Sequence, residues 1–161
     1  MPEIYLHLGS NIGNKEQHIN SAVEMIEERV GEVKARSSFY TTEPWGVDDQ
    51  EEYKNIALHC NTVMSPETLL NAVLSIETAL GRERKNRWGS RKIDIDIIFY
   101  GSETIVESKL IIPHRLMHKR NFVLVPLMEI AADFVHPTLG LTVEELYTSS
   151  EDLKDVYLES E

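Results

Sequence analysis

The stretch Ile93-Asp94-Ile95-Asp96-Ile97-Ile98-Phe99-Tyr100 constrains this chain more than any other. Side chains alternate along a strand, so Ile93, Ile95 and Ile97 share one face while Asp94 and Asp96 share the other. Same-face neighbours stand roughly 6.5–7 Å apart. The apolar remainder predicts a central strand. Two carboxylates on such a strand repel each other, and a buried unpaired charge costs several kcal/mol. A cation must therefore sit beside them. Two sources fit: an arginine of the preceding segment, Arg82 or Arg91, or a divalent metal, for which all-oxygen ligands favour Mg²⁺.

Charge bears on that choice. The 161 residues hold 16 Lys+Arg against 27 Asp+Glu, a net charge of -11. That balance argues against long nucleic acids as partners unless the cations are concentrated. They are. Arg82, Arg84, Lys85, Arg87, Arg91 and Lys92 crowd residues 82–92, where Glu83 is the one acid. Lys109, Arg115, Lys119 and Arg120 lie in residues 109–120, which have no acid. Focused positive charge on an acidic chain suits a small polyanion, and a solvated basic loop is the alternative. Carboxylates, Mg²⁺ and several arginines together fit a triphosphate, whose ~4 negative charges call for both metal and guanidinium partners. Phosphoryl or nucleotidyl transfer is the chemistry such a set supports.

The remaining composition narrows the class. Length and a 42% hydrophobic content suit one domain with a single core, residues 1–161. No apolar run approaches the ~20 residues that span a bilayer, so no membrane partner is expected. Cys60 is the single cysteine, which excludes an internal disulfide. With no basic-then-apolar leader in view, a reducing cytoplasm is the expected compartment. A monomer is expected.

Periodicity predicts a strand over residues 4–8, then a helix capped by Asn14 in a capping-box arrangement with Gln17 and ended at Gly31 by a left-handed cap. Strands follow over 33–41 and 53–63. Ser65 and Pro66 open a second helix that Gly81 stops. The Ile-Asp strand comes next, then a short hairpin over 104–112, a helix over 126–132 and another over 142–147. Few large apolar residues follow Thr148, so 148–161 reads as a mobile acidic tail. The order β-α-β-β-α-β is that of the ferredoxin-like α+β sandwich. Helices are expected on one face of a mainly antiparallel sheet, with the other face partly free for a site.

Several ordered strings carry a family likeness: HLGSNIGN (7–14), SSFYTTEPWG (37–46) with DDQEEYKN (48–55), IETALGRERKNRWG (76–89), RWGSRKIDIDIIFYG (87–101) and IPHRLMHKRNFVLVPLMEIA (112–131). Together they resemble the 6-hydroxymethyl-7,8-dihydropterin pyrophosphokinases of folate biosynthesis, from about residue 4 to residue 143. The resemblance implies transfer of pyrophosphate from MgATP to the hydroxymethyl oxygen of 6-hydroxymethyl-7,8-dihydropterin, with release of AMP. It implies two Mg²⁺ ions on Asp94 and Asp96, with Arg82 and Arg91 moving onto the phosphates. ATP would be held by Glu77, Arg84, Trp88, Arg91, Ile97, Lys109, His114 and Arg120. Tyr53 and Phe122 would sandwich the pterin ring, Asn55 would read its amide edge, and Thr42, Pro44, Trp45 and Asp94 would complete the pocket. Ser90 stands where the family usually has proline. Lys109 replaces an arginine seen in some relatives, which weakens bidentate phosphate contact.

Read without the likeness, each aromatic is ordinary core, Glu77 a solvated helix carboxylate and His114 a turn cap. Two rival functions stand beside the kinase: another metal-dependent nucleotidyl transferase, which would release pyrophosphate, and a binding module on the same fold.

Overall fold

The computed structural model describes residues 1–42, 52–81 and 92–158. Strand β1 (Glu3–Ser10) leads into α1 (Lys15–Arg29), β2 (Val33–Arg36), β3 (Tyr40–Thr42) and β4 (Tyr53–Asn61). Then come α2 (Pro66–Ala79), β5 (Asp94–Tyr100) and the small hairpin β6 (Ile105–Val106) and β7 (Ile111–Ile112). A 3-10 turn (Met117–Lys119), α3 (Asn121–Ala131), α4 (Val143–Thr148) and β8 (Val156–Leu158) complete the order. Strands β5, β1, β4, β3 and β8 lie side by side in that order, with β2 also on β4 and every pairing antiparallel. This is the ferredoxin-like arrangement, extended at one edge by β8.

Local chemistry accounts for the helix starts. The Asn14 side chain accepts from the Gln17 N–H at 3.1 Å, and Ser65 accepts from the Thr68 N–H at 3.3 Å with Pro66 at the first helical position. Gly81 has φ +93°, the left-handed conformation expected where α2 stops. Gly31 is different from its expected role. It does not adopt a left-handed φ; a Cβ there would fall 1.8 Å from the Asn61 carbonyl oxygen. Glycine is needed for that close approach, which lets the chain after α1 run against the end of β4.

One face of the sheet is a plain hydrophobic layer. Leu6 and Leu8 of β1, Ile56 and Leu58 of β4, and Ile95 and Ile97 of β5 pack with Ile19 and Ile26 of α1 and Leu69 and Ile76 of α2. The opposite face, expected to be partly free, is covered in part by described helices. Tyr5, Ala57 and Phe99 are covered there by Val123, Leu124 and Leu127 of α3 and by Val143 and Leu146 of α4. The helices are thus not confined to one face. A bulge explains why β5 feeds both layers: Leu6 pairs with Ile97 but Tyr5 pairs with Phe99, so Ile98 is an extra residue. The alternation breaks there, and both Ile98 and Phe99 join the second core.

Three further differences follow from tertiary contacts. The strand expected over 33–41 is two strands, because β2 and β3 meet β4 at separate places. Helix α3 starts at Asn121, ahead of the expected residue 126, and Pro126 lies inside it. Proline removes one helical N–H, so the Phe122 carbonyl loses its i+4 donor, a defect the packing of Val123, Leu124 and Leu127 outweighs. Last, the segment after Thr148 contributes β8, which pairs with β3 through Tyr40–Leu158, Thr41–Tyr157 and Thr42–Val156. Its backbone pairing needs no large apolar side chains, which is why apolar content alone did not reveal it.

Candidate active site

The part of the second face that no described helix covers carries the polar residues. Cross-strand register aligns them in two rows. Gly9 of β1 lies opposite Asn55 of β4 on one side and Asp94 of β5 on the other. His7 lies opposite Ala57 and Asp96 in the same way. Side chains directly across a sheet share its face, so Asn55, His7, Asp94 and Asp96 project together. Gly9 is a small floor tile among larger neighbours: a Cβ there would come within 3.2 Å of Asn55 Oδ1, 3.5 Å of Tyr53 Cδ1 and 3.6 Å of His7 Cε1.

A cleft of about 470 Å³ opens beside the β5 end of these rows. Asp94, Asp96 and Ile97 form its base, Glu77 and the apolar Leu70 and Leu74 of α2 form one wall, and Lys109 and His114 form the other. The bland reading of Glu77 as a solvated helix residue is corrected here. It is only 4% exposed, and its Oε2 accepts from the Ile95 N–H at 2.7 Å. That bond ties α2 to the residue between the two aspartates.

Asp96 is accessible, with 42% of its side chain exposed. His7 Nδ1 stands 4.0 Å from one of its oxygens and His114 Nε2 stands 3.9 Å from the other. Neither imidazole carries charge at neutral pH. Burial, reinforced by His114 and Arg120, lowers the His7 pKa to about 3, and burial with Arg120 lowers that of His114 to about 4. Asp96 is therefore flanked by neutral rings. Among the described residues no three His, Cys, Asp or Glu side chains converge as a metal cage. The two carboxylates on one sheet face suit Mg²⁺, which takes one or two carboxylates and completes its shell with water and substrate phosphates. The donor set thus fits the ion.

The other end of the rows differs in character. Asn55 is 1% exposed, and neither its Oδ1 nor its Nδ2 finds a partner among the described residues. Leaving both ends of a buried amide unpaired costs about 1–3 kcal/mol for each group, which is sustained where a ligand supplies the partners. The His7 nitrogens are likewise outside hydrogen-bond geometry, although the Asn55 side chain and the Phe122 carbonyl lie near enough to favour a protonated ring slightly. Phe122 meets His7 edge-on at 5.5 Å, and the Arg120 guanidinium lies 5.6 Å over the Phe122 ring. Tyr53 reaches the same Gly9 floor from β4. Thr42 is buried at the end of β3, where its hydroxyl donates to the Asp155 carbonyl at 3.2 Å.

The structure therefore brings Asp94, Asp96, Glu77, Ile97, Lys109 and His114 to one cleft, and Asn55, Tyr53 and Phe122 to the adjoining pocket. Arg120 lies over the Phe122 ring and is close enough to His114 of the cleft wall to act on its charge. Arg82, Arg84, Trp88, Arg91, Pro44 and Trp45 lie outside the described residues. His7 was absent from the expected set. Its one local signal is an imidazole inside an otherwise apolar strand; its alignment with Asp96 comes from the cross-strand register.

Fold and site define an α+β domain whose polar sheet face sets two carboxylates beside a cleft and a buried amide next to them. Residues 5–132 match the family described as 7,8-dihydro-6-hydroxymethylpterin-pyrophosphokinase. A Methylorubrum extorquens protein named 2-amino-4-hydroxy-6-hydroxymethyldihydropteridine pyrophosphokinase is 48% identical over 136 residues, covering 84% of this chain and 86% of that protein. A Haemophilus influenzae protein of the same name is 40% identical over 141 residues, covering 87% and 88%. Among solved structures, wild-type Plasmodium falciparum HPPK-DHPS superposes with a TM-score of 0.76 at 16% identity, over 91% of this chain and 44% of that one; at that identity it speaks for the fold. The chain belongs to the 7,8-dihydro-6-hydroxymethylpterin-pyrophosphokinase family. It is a pyrophosphokinase, transferring pyrophosphate from ATP to a hydroxymethylpterin.

Proposed function

We propose that the cleft over Asp94 and Asp96 holds the triphosphate of MgATP and that the slot at Asn55 holds 6-hydroxymethyl-7,8-dihydropterin. The pterin's hydroxymethyl oxygen then attacks the β-phosphorus. The bond from that phosphorus to the α,β-bridging oxygen breaks, AMP departs and the hydroxyl proton is released. Asp94 and Asp96 would hold Mg²⁺, two ions in this reading, whose charge offsets that developing on the phosphoryl oxygens when bound. Lys109 and His114 line the opposite wall and would bind nucleotide, with Leu70 and Leu74 giving an apolar bed. Asn55 would donate to and accept from the pterin amide edge, and Tyr53 and Phe122 would lie against its faces. Arg82 and Arg91 keep their proposed place on the phosphates. The chain acts in this reading as a cytoplasmic monomer.

Positioning supplies most of the catalysis. In this reading the two substrates would lie side by side, since Asn55 and Asp94 flank the same Gly9. His7 and His114 are poor general bases, since pKa values of about 3 and about 4 leave little driving force for proton abstraction at neutral pH. Phosphoryl transfer through a loose transition state makes small demands on such a base.

The buried amide of Asn55, without a hydrogen-bond partner among the described residues, carries the reading of the pterin slot. The test is a product analysis joined to one variant. Incubation with ATP, Mg²⁺ and the pterin should yield AMP and pterin diphosphate by chromatography. Asn55→Ala should weaken pterin binding about tenfold or more, the loss of two buried hydrogen bonds, with ATP binding unchanged. Release of pyrophosphate, or normal pterin binding in the variant, would overturn the assignment.

A further inference from the structure

The family match ends at residue 132, yet the segment beyond α4 reaches back to both sides of the pterin slot. The Asp152 carboxylate accepts from the Asn121 N–H at 2.8 Å through Oδ2 and from the Lys154 N–H at 2.9 Å through Oδ1. The Asn121 side chain returns a bond from Nδ2 to the Asp152 carbonyl at 3.2 Å. Asn121 is the first residue of α3, and the residue at its cap position, Arg120, supplies no side-chain cap. Asp152, 31 positions along the chain, therefore does the work of a helix cap. A carboxylate there also answers the positive end of the helix.

Phe122 is the next residue, so the first turn of α3 carries the aromatic wall over His7. A few residues on, the same segment grips the opposite side. The Asp155 carbonyl accepts from the Thr42 hydroxyl, and β8 pairs with β3 as far as Thr42–Val156. One short stretch thus ties down Phe122 and Thr42 together. Its own side chains are poor in core contacts: Leu153 is 94% exposed and Leu158 is 63% exposed. A segment that buries so little contributes little to global stability, yet it fixes two walls of one pocket.

We infer that Asp152 is a positioning residue for the pterin slot, acting through the first turn of α3, and that residues 152–158 form a strap across it. This rests on the assignment of the slot to the pterin. Ordering a wall before the ligand arrives lowers the cost of binding, so the strap should act on pterin affinity and leave the nucleotide cleft alone.

The test compares Asp152→Ala, Asp152→Asn and a chain ending at Ser150 with the unaltered protein and with Asn55→Ala. Pterin and ATP affinities, kcat and Tm are measured for each. Asp152→Ala should raise the pterin KM about fivefold, equivalent to ~1 kcal/mol for a lost cap. Its ATP KM should stay within about twofold. Asp152→Asn keeps an acceptor and should recover most of the loss. The shortened chain should match or exceed the Asp152→Ala effect. Unchanged pterin affinity in Asp152→Ala, or equal losses for ATP and pterin, would overturn the inference while Asn55→Ala still loses pterin. Normal pterin binding by Asn55→Ala would instead remove the slot assignment, and the inference with it.

Discussion

Glu77 offers the sharpest test of how the helix layer supports the strand that carries Asp94 and Asp96. Its Oε2 accepts from the Ile95 N–H at 2.7 Å in a site where the residue is 4% exposed. Hydrogen bonds to charged groups are worth about 1.5–3 kcal/mol, and an orphaned buried N–H costs about 1–3 kcal/mol. Those ranges describe one loss from two sides and are not added. Short length and near-complete burial place this bond toward the upper end, so Glu77→Ala should cost about 3 kcal/mol. For a domain of this size each kcal/mol moves Tm by about 2–4 °C, giving a fall near 9 °C. Glu77→Gln keeps the acceptor but gives up the charge, and neutral bonds are roughly half as strong; a fall of about 4 °C is expected. Circular-dichroism melts at neutral pH measure both. Because Ile95 separates Asp94 from Asp96, the Mg²⁺ concentration for half-maximal activity should rise in the same order. An Ala variant as stable as the parent would refute the reasoning. It would mean that the burial cost of the carboxylate exceeds what its bond to β5 returns.

Acidification should destabilise the fold between pH 6.5 and about 3. His7 has its pKa lowered to about 3, and that of His136 is also lowered by burial. In that window the unfolded chain binds more protons than the folded one, so stability falls with pH, by up to ~1.4 kcal/mol per unit for each such histidine. Urea midpoints read from pH 7 to pH 5 should drop steadily, and a flat profile would contradict the burial of His7. Gly31→Ala should cost about 3 kcal/mol or more, because its Cβ would collide with the Asn61 carbonyl. Near-normal Tm in that variant would show the close approach to be dispensable.

Much of this arrangement was legible in the residues. The Ile-Asp alternation placed two carboxylates on one face because a strand has a strict period of two, and β5 keeps that period as far as Ile97. It failed at Ile98, where a bulge set by pairing with β1 adds a residue that no local pattern announces. Helix starts at Asn14 and Ser65 were legible because capping is local chemistry. Gly31 was misread for the opposite reason: its constraint is the Asn61 carbonyl, 30 residues away, and only the fold brings them together. The early start of α3 was hidden by Pro126, whose usual effect is overridden by apolar packing on Tyr5 and Phe99. Asn55 and Phe122 were assigned to one slot through the family likeness, since nothing in periodicity relates residue 55 to residue 122. The role of Asp152 had no sequence signal, because a cap delivered from 31 residues away leaves no spacing rule to recognise.

The aromatic plug behind the slot has a directional effect. Tyr5, Phe99 and Phe134 stand 4.5–6.0 Å apart by ring centroid and fill the far half of the sheet surface. For a planar guest over Gly9, as proposed, this plug closes the sheet beyond His7 among the described residues. Bulk added to an inhibitor on that side would meet solid protein.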